Sequence, residues 1–200
     1  MKTPAPALLP ILRSSFQGEL LAWLYLHPGE EASLTELAGR FGVSSATASR
    51  EASRLIEGGL VLERRRGTLR LLRADTEGRL APALTELLAL TYGPIVVLGG
   101  LLAEVDGIEE AYIYGSWAAR YSGRRGGVPN DVDVLVVGGP DADELYEAAR
   151  AAERVLGREV NVHRVSPERW LAPGDDPFLT SVRERPMVRL EAQHEHGRNV

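Results

Sequence analysis

The sequence predicts a two-domain chain of α/β (α+β) class, and three observations predict it. Residues 33–74 read as two short helices around a glycine turn followed by a short hairpin. Residues 111–165 alternate apolar strands with helical stretches, and 200 residues with 44% apolar content suffice for two small cores. The expected divisions are a helix-turn-helix domain over 1–76, a helical connection over 77–108 and a mixed sheet with flanking helices over 109–200. The chain has no cysteine, which excludes disulfides, thiolate metal sites and a cysteine nucleophile. The opening "MKTPAPALLPILRSSF" has a single lysine and a proline-broken apolar run, too weak for a signal peptide. No stretch approaches the length needed to span a bilayer, so the expectation is a soluble, cytoplasmic protein with no membrane partner.

Taken in order, "ALLPILRSSFQGELLAWLYL" (7–26) repeats apolar side chains at helical spacing, with Pro10 and Gly18 as possible breaks and His27-Pro28-Gly29 as the stop. Ser33 followed by Glu36 is a capping-box pattern, and the helix it starts turns Leu34, Leu37, Ala38 and Phe41 inward. Gly42 provides a tight turn. Ser44 can cap a second helix whose inner stripe is Ala48, Ala52, Leu55 and Ile56, with Gly58-Gly59 as its stop. "LVLERRRGTLRLLRA" then reads as two strands around Arg65-Arg66-Gly67, a hairpin with arginines at its tip.

Charge separates the two halves. Residues 1–76 carry ten Lys/Arg against eight Asp/Glu, a net of +2, while 77–200 carry thirteen against twenty, a net of −7. Within 44–74 there are seven arginines and three glutamates. The run "LTELAGRFGVSSATASREASRLIEGGLVLERRRG" resembles the winged helix-turn-helix domains of bacterial transcription regulators of the broad MarR and ArsR type. The resemblance covers about a third of the chain and implies double-stranded DNA as partner. On that reading Ser45, Thr47, Ser49, Arg50 and Arg54 form the outward face of the second helix, which fits the major groove. Arg65 and Arg66 on the wing supply phosphate-facing charge. The alternative for the same residues is a solvated turn on a protein-interaction module.

The connection "TEGRLAPALTELLALTYGPIVVLGGLLAEVDGIEE" places Pro82 and Pro94 at two helix starts. Leu84, Leu87, Leu88 and Leu90 make the first helix strongly apolar, and Ile95, Val96, Val97, Leu98, Leu101 and Leu102 make the second apolar nearly all round. Such surface needs a cover, either in a homodimer or under the sheet of the second domain.

The second domain opens with "AYIYG", a strand that ends in glycine, and Ser116 begins a helix where backbone N–H groups are free to meet a phosphate. After the glycine-rich loop "SGRRGGVPN", Asp131 and Asp133 stand two apart on the strand "DVDVLVVGG", so both carboxylates project from one face. Like charges so placed repel unless a cation is shared, and magnesium favours oxygen ligands of this kind. Gly115-Ser116 followed by Asp131-Val132-Asp133 and "VLVV" resembles the polymerase-beta-like nucleotidyltransferase superfamily in its minimal form. The resemblance implies that Gly115 and Ser116 hold a nucleoside triphosphate, that Asp131 and Asp133 are catalytic and hold Mg2+, and that a third carboxylate stands on a neighbouring strand.

After the amphipathic helix over 141–156, the strand "REVNVHRV" puts Asn161 where that carboxylate is expected. An amide stays neutral and cannot accept a proton, and Glu159 on the same face is a possible substitute. The step from Ser116 to Asp131 is also long for the family. Arg124 and Arg125 either clamp a triphosphate or are simply solvated on the glycine-rich loop. His163 is expected to be packed or hydrogen-bonded, His194 and His196 to lie in a loose polar tail, and Trp117 and Trp170 to be core or rim residues. Three functions stay open: a DNA-binding regulator that binds Mg-nucleotide with weak or lost transfer, an active nucleotidyltransferase, and a toxin-antitoxin-type interaction module.

Overall fold

The computed structural model describes residues 12–124 and 126–191, so Arg125, His194, His196 and residues 7–11 of the first apolar run lie outside the described residues. The chain forms two compact units, Met1–Gly93 and Pro94–Val200.

The first unit runs α1 (Ser15–Leu26), β1 (Ala32–Ser33), α2 (Leu34–Arg40), α3 (Ser45–Glu57), β2 (Val61–Arg66), β3 (Leu69–Ala74) and α4 (Ala81–Tyr92). Its sheet has the order β1-β3-β2 and is antiparallel throughout. This is the order of a winged helix-turn-helix. The Ser33 hydroxyl accepts from the Glu36 N–H while Glu36 accepts from the Ser33 N–H, the reciprocal capping box that starts α2. Gly42, at φ +63, makes the turn that a side chain would strain, and Ser44 caps α3. At the wing tip Gly67 has φ +61, which suits the first position of a two-residue hairpin loop.

The core of this unit gathers Leu20, Leu24, Leu37, Ala48, Ala52 and Leu72, all at most 1% exposed. Burying one such leucine is worth about 1.5–3 kcal/mol. The Tyr25 hydroxyl donates to the Leu60 carbonyl at 2.8 Å and so ties α1 to the root of the wing. Gly18 does not break α1. It lets α4 approach, because a Cβ there would collide with the Tyr92 hydroxyl.

The second unit runs α5 (Pro94–Leu102), β4 (Ile108–Tyr114), α6 (Gly115–Tyr121), β5 (Asp131–Gly138), α7 (Ala142–Leu156), β6 (Glu159–Val165), α8 (Pro167–Leu171), α9 (Pro177–Arg183) and β7 (Val188–Arg189). The sheet order is β6-β5-β4-β7. β4 is antiparallel to β5 and to β7, while β5 and β6 are parallel, so the sheet is mixed. A parallel pair needs a crossover, and α7 supplies it, capped by Asp141 and closed by Gly157 at φ +66.

β5 is buried on both faces beyond its first residues, which is why it reads as a continuous apolar run. Val132, Val134 and Val136 fill one face, with Leu145, Ala149 and Ala152 of α7 among the buried residues of that layer. On the other face Leu135 and Val137 join Val165, Leu179 and Val182, and Tyr112, Tyr114, Trp170, Phe178 and Met187 pack against them.

One expectation is corrected. Ala81–Leu102 spans 22 residues and is long and apolar enough, by length and composition, to cross a bilayer. The sequence reading missed it because Pro94 divides the run. Gly93 adopts an extended conformation, as the residue before a proline tends to do, and α4 and α5 bury Leu88 and Leu98 completely. The two helices belong to different units, with α4 packed on α1 and α5 on α7.

Candidate functional site

On the winged unit, Ser45 and Arg50 of α3 are exposed. Thr47 takes part in the cap, its N–H donating to Ser44 Oγ at 3.1 Å and its hydroxyl lying 3.0 Å from the same atom. Ser49 is half-buried and accepts from Arg70 Nη1 at 2.8 Å, and Arg70 Nη2 donates in turn to Glu63 at 2.8 Å. Arg65 reaches the same carboxylate through Nε at 3.3 Å, Arg64 holds Glu31 through both Nε and Nη2, and Arg54 pairs with Glu51 at 2.6 Å. Glu31 and Glu63 are held below the usual carboxylate range, first by the hydrogen bonds from Arg64 and Arg70 respectively.

Pairs whose arginine is exposed, such as Arg64–Glu31 and Arg65–Glu63, are screened by solvent and add little to stability. Their larger effect is to fix which cations remain for a ligand. Of the arginines in 44–74, Arg50, Arg66 and Arg73 carry no ion pair among the described residues.

In the second unit, strand register lines the polar residues up in rows. Tyr114 of β4, Asp133 of β5 and Asn161 of β6 are direct neighbours across three strands, and Asp131 stands beside Glu159 one step earlier. All project from the same face. Asn161 Nδ2 faces both carboxylates, 3.4 Å from Asp131 Oδ2 and 3.5 Å from Asp133 Oδ1. Burial raises the Asp133 carboxyl above the usual range, the Asp131 charge adds to this, and Asn161 partly offsets it. Burial and the Asp133 charge likewise push the Tyr114 phenol up.

Gly115 has a specific job here. It has φ +69, and a Cβ on it would collide with Asp133 Oδ2, so only glycine lets the carboxylate sit against the start of α6. Ser116 is exposed beside it, Trp117 is buried, and Arg124 is exposed on the loop. The loop itself is tied back: Arg120 Nη1 donates to the Gly126 carbonyl at 3.0 Å, and Arg158 Nη1 donates to the Pro129 carbonyl.

Among the described residues no three His, Cys, Asp or Glu side chains gather as a metal cluster. Two like-charged carboxylates, one amide and a cradle that a Cβ would fill nevertheless fit a hard cation that takes its other ligands from phosphate and water.

Fold and site together define a two-unit α+β chain, a winged helix-turn-helix followed by a mixed sheet that carries paired aspartates at its rim. No protein-family model matches the chain, and no curated protein matches it. Among solved structures it is similar to reduced HlyU from Vibrio cholerae N16961, at 24% identity and a TM-score of 0.35, over 42% of this chain and 82% of that one.

The sequence reading missed Tyr114 and Phe178. Alternation in "AYIY" places Tyr112 and Tyr114 on one face, a signal that was present, whereas Phe178 comes from a segment without a motif. His163, expected to be packed or hydrogen-bonded, is exposed while its ring lies 4.3 Å from that of Phe178. Trp170 is half-buried beneath the Arg183 guanidinium, 4.3 Å away.

Proposed function

We propose that the chain is a DNA-binding transcription regulator whose second unit binds a magnesium-bound nucleoside triphosphate, with nucleotidyl transfer slow or lost. The observation that carries this reading is the row in which Asn161 stands beside Asp133, with Asp131 two residues before it. Asp131 and Asp133 would hold the ion, and Asn161 can turn its carbonyl oxygen to the same centre by rotation about χ2. Magnesium would supply neutralising charge for triphosphate oxygens, and the absence of a side chain on Gly115 leaves room for the Asp133 carboxylate at the start of α6.

An amide at 161 cannot take the proton of an attacking hydroxyl, and the loss of a positioned base costs about 10²–10⁴-fold in rate. The active-enzyme reading is favoured by one observation: Glu159 is the register partner of Asp131 and is exposed on the same face.

DNA binding rests on the exposed Ser45 and Arg50 of α3, with Arg66 near the wing tip. The chain is a homodimer in this reading. Leu80, Leu87 and Leu90 at α4 are exposed at spacings that form one seam.

Calorimetry with magnesium and each nucleoside triphosphate, on the wild type and on Asp131→Ala and Asp133→Ala, tests the second unit. Gel shifts on random duplex DNA at several salt concentrations test the first. Binding is expected in both, with the aspartate variants silent toward nucleotide and Arg50→Ala losing about 1–3 kcal/mol on a preferred site. Brisk labelled transfer by the wild type would overturn the regulator reading in favour of an enzyme. Absence of metal-dependent nucleotide binding would remove the site altogether.

A further inference from the structure

Row by row, the face that carries the aspartates changes character abruptly. Tyr114, Asp133 and Asn161 form one row, and two residues on, about 6.6 Å along the strands, the next row is Tyr112, Leu135 and His163. Phe178 reaches onto this face from α9. Its ring meets Tyr114 edge-on with centroids 5.8 Å apart and lies 4.3 Å from His163, so it crosses from β4 to β6 over β5. Packing against Leu135, Val165, Leu179 and Val182 holds Phe178 from behind. Three aromatic rings therefore make a wall directly beside the carboxylates. One of them, His163, is exposed to solvent with its ring supported by Phe178.

The faces of these rings, as distinct from the in-plane Tyr114 O–H and His163 N–H, carry the negative side of the ring quadrupole and do not favour an anion. The wall suits a flat, neutral heteroaromatic ring tethered to a phosphate. We infer that Tyr114, Phe178 and His163 form a stacking wall for the base of a nucleoside triphosphate, with His163 the contacting ring and Phe178 its support. This rests on the reading of Asp131 and Asp133 as the phosphate-proximal metal site. Stacking recognises the π-face that every base has, so the wall is tolerant of base identity and ranks purines above pyrimidines by ring area. Base specificity by hydrogen bonding is not part of this wall. The site selects nucleotides as a class against inorganic polyphosphate.

The test compares two ligands on the full chain, Mg-ATP and magnesium with inorganic tripolyphosphate, by calorimetry. ATP is expected to bind more tightly than tripolyphosphate. His163→Ala, an exposed substitution that leaves the core untouched, should weaken ATP about 5- to 100-fold and leave tripolyphosphate unchanged. Phe178→Leu keeps an apolar side chain at its place in the core and should weaken ATP in the same selective way. His163→Phe should restore ATP binding.

Equal affinity for the two ligands, or a His163→Ala variant that weakens both alike or neither, overturns the wall. The carboxylate reading fails separately: if Asp133→Ala binds tripolyphosphate as well as the wild type does, the aspartates hold no metal, whatever His163→Ala does to ATP.

Discussion

In the winged unit Glu31, Glu51 and Glu63 each stand against an arginine, whereas in the second unit Asp131 and Asp133 stand against each other. Both arrangements sit on comparable scaffolds, a small sheet with helices on it. Glu31 and Glu63 fall below their ordinary titration range where an arginine serves them, and Asp133 rises above it where none does. A chain able to pair carboxylates three times in its first unit leaves two of them together in its second. The difference separates carboxylates held by arginines from carboxylates left beside each other. It also sets how many arginines of the winged unit are left without a carboxylate partner. Of seven in 44–74, Arg54, Arg64, Arg65 and Arg70 already have carboxylate partners.

The largest effect expected from breaking this contrast is at the aspartates. Asp133→Ala should cost at least about 100-fold in magnesium-dependent triphosphate affinity by calorimetry, since a magnesium site of this type depends on one or two carboxylates. Next comes Gly115→Ala, which adds a Cβ where Asp133 sits and a side chain where φ is positive. It should weaken nucleotide about tenfold and destabilise the unit by about 1–3 kcal/mol in urea unfolding.

Giving the first unit unpaired charge should do the opposite. Glu63→Gln frees Arg65 and Arg70 and is expected to tighten duplex DNA binding several-fold, with the salt dependence steeper by about one to two counterions in gel-shift titrations. An unchanged slope would show that the paired arginines already face phosphate.

The smallest effect is on stability. Folded Asp133 binds its proton more tightly than the unfolded chain does, so that proton favours the fold below the ordinary aspartate value, and the advantage is lost as pH rises through the raised value. Asp133→Asn should therefore raise the melting temperature at neutral pH and flatten its dependence over the weakly acidic range. It should also abolish nucleotide binding, which thermal scans with and without Mg-ATP would separate.

Much of this was legible wherever the signal is local. Ser33 with Glu36, Ser44, Gly42 and Gly157 announce helix ends because caps depend on residues a few positions apart. Asp131 and Asp133 declare a shared face because alternation along a strand is geometric. What stayed hidden depends on distant pairing. β1 is two residues, Ala32-Ser33, with no period to read, and exists through its register with Leu71 and Leu72. The Arg64–Glu31 pair joins residues 33 apart, and Phe178 reaches the aspartate face only because α9 folds back over β5. The segment 81–102 shows the converse, since its composition alone suits a bilayer while Gly93 and the buried Leu88 and Leu98 place it on the two cores.

The closing strand β7 has a kinetic consequence. Asp133 and Asn161 pair across 28 residues, while Tyr112 and Arg189 pair across nearly three times that separation. Closing the longer loop costs about 1 kcal/mol more chain entropy, and the two-residue strand it brings in offers few contacts in return. The carboxylate row should thus assemble before β7 and α9 dock. A chain emerging from the ribosome would hold its two aspartates and the amide beside them in register while Phe178 is still unfolded.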